Sequence, residues 1–79
     1  MLKMSDERRN NMATVMDMLG YHFSRDVIIR THGERIADQI SIAIQQETGF
    51  KMLIFTSYSI SVDDLSTELL GKIVGLLCV

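Results

Sequence analysis

The sequence predicts one small α/β or α+β domain, ordered α-β-α-β-α around a two-stranded core. Three observations lead there. The chain has 79 residues, 47% of them hydrophobic, which is the size and composition of a single globular domain. Three stretches carry apolar residues at helical spacing, two of them behind capping serines. Two runs rich in β-branched residues lie between them.

The first helix is read from about Ser5 to Leu19. Ser5 suits an N-cap, and Asp6 and Glu7 put negative charge in the first turn, where the helix dipole favours it. Met12, Val15, Met16 and Leu19 form one apolar stripe, and Gly20 suits the left-handed conformation that ends a helix. Asp26–Thr31 (DVIIRT) admits two readings. Val27, Ile28 and Ile29 in a row suit a buried strand. The competing reading is a helix capped by Ser24 and running through Gly33. The strand is favoured because a glycine inside a helix costs about 1 kcal/mol.

Glu34–Glu47 reads as a helix with Ile36, Ile40, Ala43 and Ile44 on one face, closed by Thr48-Gly49. Lys51–Ile60 (KMLIFTSYSI) reads as the second strand. Ser61-Val62-Asp63-Asp64 opens the last helix in a weaker form of the capping box. Leu65, Leu69, Ile73, Leu76 and Leu77 line its apolar face, widened by Leu70 and Val74. A right-handed crossover would make the two strands parallel. Two strands alone make a poor sheet. A homodimer that extends the sheet, or that packs first or last helices across a two-fold axis, is therefore expected.

Composition narrows the function. Cys78 is the lone cysteine, so no intrachain disulfide forms, and His22, His32 and Cys78 are too few soft ligands for a structural zinc site. No cofactor or metal is expected. The net charge is −2, the basic residues are dispersed and tryptophan is absent, which argues against nucleic acid as a partner. The opening residues are charged with no apolar run behind them, and Ile73–Val79 is far shorter than the roughly 20 residues that span a bilayer. A cytoplasmic protein without membrane contact is expected.

Few features point to chemistry. The Thr31-His32-Gly33 turn would place a histidine after one strand and before a helix, where α/β proteins hold their sites. The plainer reading makes Gly33 the turn residue and His32 a solvated side chain. Residues 26–75 resemble the amino-terminal half of the mannose-family phosphotransferase IIA domains. The resemblance is carried by Val27-Ile28-Ile29, Thr31-His32-Gly33, Ala37 and the acidic entry Ser61–Leu65. It implies a phosphoryl group carried on His32. Arg30 and the additional helix Ser5–Leu19 depart from the family pattern, and the family's later strands have no counterpart in these residues.

His22 reads as a hydrogen-bonded or solvated residue, Cys78 as a small hydrophobe, and Asp63 and Asp64 as helix-dipole partners. Met4, Met12, Met16 and Met18 crowd the first helix, as core filling or as an adaptable binding face, with Met18 off the stripe. Gly71 and Gly75 share one side of the last helix and permit close backbone approach.

Two function classes follow. The first is a non-enzymatic protein that binds another protein as adaptor, accessory subunit or inhibitor, of the kind common in phages and mobile elements. Its expected contact residues are Met12, Val15, Met16, Leu19, Leu69, Ile73 and Leu76. The second is a phosphocarrier-like module using His32.

Overall fold

Ser5 accepts a hydrogen bond from the Arg8 amide at 3.1 Å and starts helix α1, Asp6–Leu19. The computed structural model describes residues 5–78, so Met4 and Val79 lie outside the described residues. Helix α1 ends as predicted at Gly20, whose φ of 90° is positive, but its ψ of 169° is extended and not left-handed helical. A short strand β1, His22–Phe23, follows.

The segment read as the first strand is helical. Helix α2 spans Arg25–His32, and the Ser24 hydroxyl caps it by accepting from the Val27 amide at 3.4 Å. Asp26 sits in its first turn and Arg30 and His32 in its last, both favourable to the helix dipole. The glycine objection fails for a local reason. Gly33 is not inside a helix; at φ 93° and ψ 164° it closes α2 and also stands as the cap of α3, Glu34–Thr48. Of the three β-branched residues, Ile28 is fully buried and Val27 and Ile29 are half-buried, the distribution of a helix face.

The second predicted strand is also corrected. Only Ile60–Ser61 forms strand β2, and it pairs antiparallel with β1 in the register His22↔Ser61 and Phe23↔Ile60. No parallel crossover links the two, and the ladder is too short to form the core. It acts as a clasp, extended by the Val62 amide donating to the Tyr21 carbonyl at 2.9 Å.

The last helix starts later than the sequence indicates. Val62–Asp64 make one 3-10 turn without a cap from the Ser61 side chain, and Leu65 is extended. Ser66 is the N-cap of α4, Thr67–Leu77, its hydroxyl accepting from the Leu69 amide at 3.0 Å.

The fold is α+β, with its interior built by helices. Helix α1 packs on α4, α2 on α3 and α3 on α4. Val15, Phe23, Ile28, Ile40, Ile44, Val62, Leu69, Leu70 and Ile73 are fully enclosed where these faces meet. Gly71 faces α1, where an added Cβ would sit 3.6 Å from the Asn11 side chain; one at Gly75 would meet open space. The glycine pair therefore serves no close backbone contact. The radius of gyration, 11.8 Å, matches the roughly 11.6 Å expected for a folded chain of this length. No helix among the described residues is long and apolar enough to cross a membrane.

Candidate interaction surface

Most residues expected to meet a partner are turned inward. Val15, Leu69 and Ile73 have no exposed surface, Met12 and Leu19 have very little, and Leu76 is half-buried. The stripes of α1 and α4 meet each other within one chain. Met16 is the exception, with 39% of its surface exposed. Met18, read as off the stripe, is half-buried against the core.

The exposed apolar surface lies in the segment misread as a strand. Helix α3 closes at Gly49, whose φ of 81° and ψ of −5° are left-handed, with its amide donating to Gln45 at 2.9 Å. Thr48 accepts from the Phe50 amide at 3.1 Å and turns the chain back. Successive turns then satisfy the backbone locally. The amides of Ile54 and Phe55 both donate to Lys51, at 3.1 and 3.0 Å, and Tyr58 donates to Phe55 at 3.1 Å. Thr56 ties the segment to α2 by accepting from the Asp26 amide at 3.2 Å.

Met52 alone of this segment's large apolar side chains is fully buried. Around it the others face outward: Ile54 is 67% exposed, Tyr58 66%, Phe55 54% and Leu53 40%. Half-buried Phe50 holds two of them in place. Its ring centroid lies 6.3 Å from Phe55 and 5.7 Å from Tyr58, within the range of favourable aromatic pairs. Taking roughly 200 Å² for each residue, the four exposed fractions leave about 450 Å² of exposed surface contributed by large apolar residues. Exposed apolar patches of a few hundred Å² on a monomer are often functional. Exposed Met16, Tyr21 and Ile42 are single residues by comparison, which is ordinary at a protein surface.

An apolar cleft of about 250 Å³ opens beside this run, lined by Thr48, Phe50, Tyr58, Ser59, Ile60 and Asp64. From α1, Arg8 donates to the Leu65 carbonyl at 2.6 Å and the Asp63 carbonyl at 3.2 Å, on either side of the lining residue Asp64 in sequence. The Tyr21 hydroxyl donates to the Asp63 carboxylate and the Ser66 hydroxyl to Glu47. Sequence reasoning missed Arg8, which it took for one dispersed charge. It also missed Leu53–Tyr58, because their strand-forming character predicts pairing and half-burial. The signal available was the run's own excess of large apolar residues over what one sheet face can hide.

His32 stands at the end of α2, half-buried and away from the run in sequence. Its Nδ1 is 2.8 Å from the Thr31 hydroxyl. The same hydroxyl lies 2.9 Å from the Val27 carbonyl and 3.4 Å from that of Ile28. His22 packs edge-on against Tyr21, with centroids 4.8 Å apart, and Cys78 is exposed. Among the described residues no three His, Cys, Asp or Glu side chains gather as a metal site.

Compared with protein-family models, with curated proteins and with solved structures, the chain matches none. What can be inferred about function comes from the surface itself.

Proposed function

We propose that this is a non-enzymatic binding protein whose contact with another protein is the run Leu53–Tyr58 and the cleft beside it. One observation carries the reading: four large apolar side chains are displayed outward on a segment whose backbone is internally bonded and anchored by buried Met52. Apolar area already fixed in place lowers the ordering cost of binding, and a central apolar cluster with aromatics is the usual source of affinity at protein interfaces. The stripes of α1 and α4 are engaged in folding, so the contact moves from the residues expected in the sequence to this run. The total surface, 4961 Å², is close to the roughly 4,900 Å² of a folded monomer of this mass, so a bound partner would complete a function more than a fold.

A photo-crosslinking residue at position 54, in cells that make the protein, tests this. A discrete adduct is expected at position 54 that Tyr58→Ser removes and that a probe at exposed Gln46 does not give. Identical labelling from positions 54 and 46 would refute the assignment.

The phosphocarrier reading rests on the His32 ring, half-buried at the end of α2 with its Nδ1 2.8 Å from the Thr31 hydroxyl. It requires an acid-labile phosphoryl group on this protein that His32→Ala eliminates. The binding reading expects His32→Ala to leave the adduct at position 54 unchanged.

A further inference from the structure

The cleft beside the exposed run has a sign as well as an apolar lining. Asp64 lines it and makes no hydrogen bond or ion pair among the described residues. Asp63 adjoins Asp64, and its carboxylate is met by the neutral Tyr21 hydroxyl. Glu47 adjoins the lining residue Thr48 and is met by the neutral Ser66 hydroxyl. The ion pairs among the described residues, Arg9–Asp6 and Arg25–Asp38, involve none of these three carboxylates. Arg8 comes near, but its guanidinium donates to the backbone carbonyls of Leu65 and Asp63. From position 47 to 64 the sequence holds three carboxylates and one cation, Lys51.

Resting on the binding role above, the geometry points to a cationic peptide segment as the occupant. One large apolar side chain of the partner sits in the cleft against Phe50, Tyr58 and Ile60. Lysine or arginine residues flanking it meet Asp63, Asp64 and Glu47. The cleft, at about 250 Å³, has room for such an anchor but falls below the roughly 300–1,000 Å³ of small-molecule sites. A second copy of the chain fits less well. A two-fold axis would set the acidic rim against its own image.

The test is selection of randomised peptides of about a dozen residues on the full-length chain. Selected peptides are then synthesised and titrated by fluorescence anisotropy. Tyr58→Ser and Asp64→Asn change exposed side chains, and far-UV circular dichroism checks that each variant keeps its helices. The selected peptides should carry net positive charge around a Leu, Ile, Met or Phe. They should bind Tyr58→Ser at least about tenfold more weakly. Asp64→Asn should weaken them about threefold, and added salt should weaken them further. Neutral or acidic peptides that still depend on Tyr58 would overturn the charge assignment and leave the docking role standing. Absence of enrichment, or peptides indifferent to Tyr58→Ser, would overturn both. Light scattering that shows self-association lost in Tyr58→Ser would assign the face to a second copy instead. Sedimentation with phospholipid vesicles that Tyr58→Ser abolishes would assign it to lipid.

Discussion

Along α1 and α4, Met12, Val15, Leu69 and Ile73 lie in an interior with almost no exposed surface, whereas Leu53, Ile54, Phe55 and Tyr58, equally apolar, face solvent. The difference comes from backbone geometry. Residues three and four apart on a helix share a face, so a whole stripe enters the core together. A chain of tight turns has no common face. Here it sends one residue, Met52, inward and leaves its neighbours outside. Composition alone cannot separate a stripe that folds the protein from one that is displayed by it.

Substitutions in the two regions should separate folding from binding. Leu69→Asp places an uncompensated carboxylate in the α1–α4 seam. The penalty is several kcal/mol, against a net stability of roughly 3–5 kcal/mol for so small a domain. No cooperative thermal transition should remain in circular dichroism; a retained one would show that the seam is looser than described. Met12→Ala should cost about 2 kcal/mol, the low end for a buried methionine, because some of its surface is already exposed. Urea unfolding reads this as a lower midpoint with an unchanged slope. Ser66→Ala removes the α4 cap and should cost about 1 kcal/mol by the same assay. A loss comparable to that of Leu69→Asp would mean that α4 depends on its cap more than on its buried face. Ile54→Asp, in the exposed run, should change stability by less than about 0.5 kcal/mol while abolishing partner binding. A large loss of stability there would show that Ile54 belongs to the core.

Where a helix of 14 or 15 residues ends at a glycine, the sequence was a good guide. Ser5 with its acidic first turn and the Glu34 helix ended by Gly49 are both found, the latter one residue longer than read. Two competitions misled it. Three consecutive β-branched residues outweighed the Ser24 cap at Val27–Ile29, although Gly33 could end one helix and begin another in a single residue. Strand propensity at Lys51–Ile60 was overridden because no neighbouring strand is long enough to pair with it. Ser66 went unnoticed as a cap because Ser61 precedes a more obviously acidic entry. The displayed surface was least legible, since it depends on which apolar residues the helices leave uncovered.

Met52 gives the segment after Gly49 a further property. One buried side chain, the Asp26–Thr56 backbone bond and the β1–β2 clasp fix its path. Positions 53, 54, 55 and 58 contribute little to that anchoring. They can drift in sequence, or be rewritten by design, while the helices remain unchanged. Lineages sharing this scaffold can therefore diverge in partner before they diverge in fold, and the segment is a natural site for grafting new recognition onto an otherwise constant domain.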